Sequence, residues 1–215
     1  MSQEEPRVIP SGTPKPRQRR PKREEVRDRL IEGAMHAFAL KGFGGASIDF
    51  ICAQAGFSRG AFYSNFDDKE ALFFALYDQR IDRLYTRLGR IAEVVQASDQ
   101  PWQTIAEHLR APDPDELQWD ILNKEFILHA LRNEAAQQRL RASRQGSKER
   151  LSEILISLEA KLADHPEQLD QLCRFIIALH EGELTQLGLD PALTAQTSLL
   201  ARFVPLVMSG MVEAL

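Results

Sequence analysis

Ala46–Leu72 reads A-S-I-D-F-I-C-A-Q-A-G-F-S-R-G-A-F-Y-S-N-F-D-D-K-E-A-L. The hydroxyl of Ser47 can accept from an orphan N–H at a helix start, and Ile48, Ile51, Cys52 and Ala55 then recur on one face at helical spacing. Gly56 ends that helix, because glycine enters the left-handed region at little steric cost. Ser58 caps another helix immediately afterwards. So short a turn forces the two axes to cross steeply, which is the helix-turn-helix arrangement. The second helix opens on Arg59 and Gly60, a long cation beside a residue without a side chain. That pair suits a helix end that approaches nucleic acid closely. Phe62 and Phe66 can pack inward, leaving Tyr63 and Ser64 to face out. Asp67 or Asp68 caps the helix that follows, and Asp67 with Glu70 has capping-box spacing.

Toward the N-terminus, Val26, Leu30, Ala34, Ala37 and Phe38 form one apolar stripe, which predicts a helix from Arg23 to about Leu40. Gly42 ends it. The glycine-rich turn Lys41–Gly45 follows a helix and lacks a Lys-Ser/Thr pair, so it reads as a linker and not as a phosphate-cradling loop. Residues 1–22 hold Pro6, Pro10, Pro14, Pro16 and Pro21 and nothing that forms a core, which predicts a disordered tail. Its basic end, including Arg19 and Arg20, fits either a solvated tail or an arm lying along DNA phosphates or in a minor groove.

Toward the C-terminus the helical period continues. A helix from Lys69 to about Ala97 is long enough to leave the helix-turn-helix and enter a second domain. Further helices are expected from Trp102 to about Leu109 and from Leu117 to about Ala142. Ala135 to Leu162 follows it with little interruption, with Gly146-Ser147 as a candidate kink or boundary. Two more are expected, Leu169–Leu187 and Ala192–Met211, the last kinked by Pro205. No stretch alternates with period two, so the chain is expected to be all-α. The division is a tail (1–22), a helix-turn-helix domain (23–72) and a helical domain (73–215).

The formal net charge is −4 over 215 residues, but it is unevenly placed. Residues 1–68 hold 11 Lys/Arg and 9 Asp/Glu, whereas residues 69–215 hold 16 and 22. A basic end on an acidic body points to a nucleic-acid partner for that end. No apolar run approaches the ~20 residues of a membrane span. No apolar signal segment precedes the first helix, and Cys52 and Cys173 each fall in an apolar helical pattern, so a reducing cytoplasm with two buried thiols is expected.

Enzyme chemistry finds no inventory. There is no H-E-x-x-H, no Cys-x-x-Cys and no G-x-S-x-G, and His36, His108, His129, His165 and His180 lack ligand spacing. No catalytic residue, metal or cofactor is expected. His180, Glu181 and Glu183 form the nearest approach to a polar cluster, read as a partly buried patch or interface. Arg59 is the candidate for base contact, since its fork matches guanine O6 and N7.

The run Ser47–Leu72 resembles the DNA-binding signature of the tetracycline-repressor (TetR) family. It departs from the common pattern at Phe50, Phe57 and Asn65. The resemblance covers the N-terminal third and implies a dimeric, all-helical, ligand-responsive transcriptional regulator, more often a repressor, acting on a near-palindromic double-stranded operator. It implies phosphate contacts from Ser47, Tyr63 and Lys69, with Ser58, Gly60, Ser64 and Asn65 on the same face. It also implies that the last two helices pair across a dimer interface, with Leu172, Ile176, Leu179, Leu200, Phe203 and Val207 as candidates. A small-molecule effector would sit among the middle helices, with Trp102, Trp119, Phe126, His129 and Phe175 as lining candidates and Glu125 as a polar anchor. A helical protein–protein module with a purely structural helix-turn-helix is the rival reading. A flat salt dependence of DNA binding would favour the rival.

Overall fold

Helix caps partition the chain in the computed structural model, which describes residues 22–96, 98, 101–108, 114–190, 192–193 and 198–214. Arg19, Arg20 and the expected tail through residue 21 lie outside those residues. The order is α1 (Arg23–Gly45), α2 (Ile48–Ala55), α3 (Arg59–Tyr63), α4 (Lys69–Val95), α5 (Pro101–His108), α6 (Pro114–Ala130), α7 (Glu134–Leu158), a 3-10 turn (Ala160–Asp164), α8 (Pro166–Leu189) and α9 (Leu199–Ala214). The described residues contain no strand, and the fold is all-α.

The N-terminal caps follow the sequence reading. Ser47 Oγ accepts from Phe50 N, Ser58 Oγ accepts from Ala61 N, and Gly56 takes the left-handed conformation at φ 73°. The cap of α4 is Asp68, whose carboxylate accepts from Ala71 N at 2.6 Å. Glu70 therefore takes no part in a capping box with Asp67.

Three boundaries differ from expectation. The helix from Leu117 stops at Ala130 and not near Ala142, because Asn133 caps a new helix by accepting from Ala136 N at 3.2 Å. No Gly or Pro marks that break, so spacing alone ran through it. Gly146-Ser147 is no boundary: both lie inside α7, and Ser147 Oγ donates to Ser143 O. The last helix begins at Leu199 and not at Ala192. The buried Glu183 accepts from Leu199 N at 2.6 Å and Leu200 N at 3.4 Å, and Ser198 Oγ accepts from Ala201 N. Pro166 opens α8 at a position that needs no N–H.

α1, α2, α3 and the first turns of α4 enclose one apolar cluster around Leu30, Phe38, Ile51, Phe62 and Phe73. Leu122, Phe126 and Ala130 of α6 belong to the same cluster, with Phe126 stacked on Phe73 at 3.7 Å. A second cluster joins Tyr85 of α4 to Leu151 and Leu155 of α7, Leu172 and Cys173 of α8 and Leu200, Val204 and Met208 of α9. α4 thus runs from the first cluster into the second. Gly33 sits where α1 crosses α2: a Cβ there would lie 2.7 Å from that of Ala55. Both cysteines are free and buried. No described helix is long and apolar enough to cross a membrane.

Candidate nucleic-acid interface and the cavity behind it

Ser47, Ser58, Arg59, Gly60, Tyr63 and Ser64 are all exposed and share the outer side of α2 and α3. Arg59 does not hang free. Its Nη1 donates to Asp49 at 3.1 and 3.3 Å and its Nη2 to the Tyr63 hydroxyl at 3.2 Å. Base contact by Arg59 therefore requires an exchange of partners. Gly60 has room within the protein, since a Cβ would meet only Ser58 Oγ at 3.7 Å. Ser64 Oγ donates to Gly60 O, and Asn65 Nδ2 donates to Ala61 O at 2.8 Å. The Asn65 side-chain oxygen is buried without a hydrogen-bond partner.

Cations of α1 hold this unit from behind. Arg23 Nη2 donates to Ser64 O, Arg27 Nη1 to Asn65 O and Arg29 Nη2 to Ala55 O, so each ends on a carbonyl at or just past a helix C-terminus, where positive charge is favoured. Arg29 also stacks on Phe57 at 4.6 Å, and Lys41 on Phe50 at 4.1 Å. Two of the three departures from the common pattern thus serve as aromatic platforms for cations.

Lys69 corrects the sequence reading. Its ammonium, expected to meet a phosphate, donates to Phe43 O at 2.6 Å, Ala46 O at 3.1 Å and Gly44 O at 3.4 Å, and lies 4.6 Å from the Phe43 ring centre. Burial pushes its pKa down. The side chain ties the α1–α2 turn to the start of α4. Glu125 is likewise not a pocket anchor. Its carboxylate accepts from Phe43 N at 2.5 Å, beside Gly42 at φ 69°. A Cβ on Gly42 would lie 2.6 Å from that carboxylate, which with the positive φ fixes glycine at this position. His129 Nε2 meets Glu70 Oε1 at 2.7 Å, and its ring centre lies 5.1 Å from that of Phe43. Phe43 is therefore gripped by α4 on its carbonyl and by α6 on its N–H.

The other side of α6 lines a cavity of about 290 Å³ between α4, α6, α7 and α8. Its walls include Tyr77, Arg80, Ile81, Tyr85, Arg87, Glu116, Trp119, Asp120, Asn123, Arg144, Ser147, Ile177, His180 and Glu181. Arg87 pairs with Glu116 at 3.1 Å, Arg144 with Glu181 at 2.6 Å, and Arg80 lies 3.8 Å from Asp115. Burial pushes the His180 imidazole down and the Tyr85 phenol up to about 12. Of the expected lining residues only Trp119 is on this wall. Phe126 is fully buried in the first cluster, Trp102 packs against the second, and Phe175 faces outward on α8. Glu116, Asp120 and Asn123 recur with Trp119 at helical spacing. A polar stripe on an otherwise apolar helix was the signal that marked this wall.

The expected interface residues separate by burial. Leu172 and Leu200 belong to the chain's own core. Ile176, Leu179 and Val207 are half-buried, whereas Phe203 and its neighbour Leu206 are exposed. Among the described residues no group of three or more His, Cys, Asp or Glu is placed to hold a metal ion.

Residues 30–76 match the family described as bacterial regulatory proteins, tetR family. The HTH-type transcriptional repressor Rv1474c of Mycobacterium tuberculosis is 34% identical over 100 residues, 41% of this chain and 53% of its own. The repressor AcnR of Corynebacterium glutamicum is 36% identical over 95 residues, 43% of this chain and 44% of its own. For YerO, an HTH-type regulator of Bacillus subtilis, the figures are 31% over 91 residues, 42% of this chain and 31% of that one. The chain thus spans about a third to a half of the length of these relatives. A TetR-family regulator from Mesorhizobium loti shares the fold at TM-score 0.68 over 91% of this chain and 98% of its own, with 18% identity. A transcriptional regulator from Pseudomonas aeruginosa does so at TM-score 0.63 over 89% and 92%, with 22% identity. The chain thus carries a tetR-family sequence match over residues 30–76 and shares the helical fold of TetR-family regulators along most of its length.

Proposed function

We propose that the protein is a cytoplasmic, homodimeric transcriptional regulator that represses by binding a near-palindromic operator and is released by a small molecule. The observation that carries this reading is the exposed Arg59–Gly60–Tyr63 face of α3, presented by a unit whose other sides are packed or capped. In this reading residues 23–72 bind DNA and residues 73–215 bind the effector and the second copy. Ser47 and Tyr63 offer hydroxyls to phosphates, while Arg59 gives up Asp49 for a guanine edge. Two α3 helices enter successive major grooves only when they stand about 34–36 Å apart.

The release mechanism follows from α6. Trp119, Asp120 and Asn123 face the cavity, and Glu125 and His129, little more than a turn further on, hold Phe43 and Glu70. A ligand that moves the first group moves the second. Effector and operator then oppose each other through one coupling free energy.

The test is binding of the purified protein to DNA from its own promoter region across a salt series. Specific binding is expected, with log K falling steeply and linearly with log salt. Binding that ignores both sequence and salt would sink the reading.

A further inference from the structure

The cavity behind the helix-turn-helix presents two kinds of polar group. Its inner charged groups are already matched: Arg87 with Glu116, Arg144 with Glu181, and Asp120 with Lys124 from the next turn of α6, while the exposed Arg83 is the lining cation that pairs with no described residue. Of its neutral groups, Ser147 is hydrogen-bonded to Ser143 O but Asn123 is not fully satisfied. The side-chain oxygen of Asn123 is buried without a hydrogen-bond partner, although the residue is only 8% exposed and lies on the cavity wall. His180 lies on the same wall, where burial outweighs the neighbouring Glu116, Glu183, Glu181 and Asp120 carboxylates and keeps the imidazole neutral. A neutral imidazole offers one donor and one acceptor. The remaining wall is apolar and aromatic, with Tyr77, Ile81, Tyr85, Trp119, Ile177 and Leu184.

These groups discriminate by charge. A carboxylate that passes the exposed Arg83 to reach Asn123 would need a cation now held in a pair, and taking Arg144 would strand Glu181. An ammonium would have to displace Lys124 or an arginine. Either exchange leaves a charge poorly solvated. A neutral donor aimed at Asn123 instead satisfies a group that is otherwise unsatisfied, which is the strongest form of polar selectivity.

We propose that the effector is an uncharged, partly aromatic molecule with an amide-like edge, a hydrogen-bond donor beside an acceptor, read by Asn123 and His180 while its ring system lies against Trp119 and Tyr77. This rests on the ligand response proposed above and adds the chemical class.

Three near-isosteric probes test it: naphthalene-2-carboxamide, naphthalene-2-carboxylate and naphthalen-2-ylmethylammonium. Each is titrated by calorimetry into the full chain, and promoter-DNA release is followed in parallel. The amide is expected to bind at least about tenfold more tightly than either charged probe. Asn123→Leu, which fills the position with an apolar side chain of similar size, removes that preference, and His180→Phe weakens the amide while leaving the fold intact. A charged probe that binds as well as the amide, or an Asn123→Leu protein that keeps the preference, overturns the proposed class. Failure of all three to bind overturns it as well. Amide binding without DNA release upholds the class and defeats the regulatory reading instead. Release by a charged probe alone does the reverse.

Discussion

In the proposed reading Arg59 contacts a base, and its resting contacts make that expectation specific. It is held by Asp49 and Tyr63, both exposed, so the pair with Asp49 is weakened by solvent and yields readily to a guanine. Arg59→Ala is expected to lower specific operator affinity by about 1–3 kcal/mol and to relax selectivity at one base position, read by competition binding against mutated operators. Gly60→Ala separates DNA clearance from folding. Ordinary van der Waals contact is all that an added methyl meets inside the protein, and alanine is the better helix former by about 1 kcal/mol. Thermal stability should hold or rise while operator affinity falls. If Gly60→Ala binds DNA as the parent does, α3 does not approach the duplex at this end.

At the scale of elements, two contacts decide how the helix-turn-helix is built and how it is attached. Gly33 allows α1 and α2 to cross closely, and a methyl there needs the helices to part, because Ala55 backbone atoms lie 2.8 Å away. Gly33→Ala is expected to cost about 1–3 kcal/mol despite its better helix propensity, seen as a fall of several degrees in the melting temperature. The attachment is Glu125 to Phe43 N. Glu125→Ala should speed hydrogen exchange at the Phe43 amide several-fold and lower stability by about 1 kcal/mol, whereas Glu125→Gln, still an acceptor, recovers most of both. An unchanged exchange rate would mean that α6 does not hold the turn. The same two elements show what was legible in the sequence. Local rules carried the N-terminal unit: Ser47, Gly56 and Ser58 act through neighbours within four residues, and their roles follow from spacing. Glu125 meets Phe43 across 82 residues and Lys69 meets it across 26, and no spacing encodes either contact. Asn133 fell between: its cap is local, but with no Gly or Pro beside it the apolar period on both sides concealed the break. Leu172 and Phe203 are alike in sequence, and only the packed structure separates core from surface.

At the scale of the whole molecule, the proposed operator binding needs two copies, and the surface of α8 and α9 offers the means. Phe175 and Phe203 are 37% and 40% exposed and Leu206 is 63% exposed, with half-buried Ile176, Leu179 and Val207 beside them in sequence on the same helices. Glu183 fixes where α9 starts relative to α8, so the two helices present their outer faces as one unit. In the proposed dimer these faces meet their own copies, since a two-fold interface brings each patch against itself. The double variant Phe203→Glu, Leu206→Glu places four like charges across that contact while leaving Leu200, Val204 and Met208 in the chain's own core. It is expected to sediment as a monomer and to keep its far-ultraviolet helical signal. A monomer engages one half-site at a time and loses the effective-concentration advantage of the second, so operator affinity should fall by about 10²–10⁴-fold. Binding to an isolated half-site should stay within a few-fold of the parent's, because α3 is untouched. A variant that remains dimeric with parental operator affinity would place the dimer contact elsewhere on the chain. A variant that turns monomeric yet binds the full operator unchanged would remove the requirement for two copies altogether.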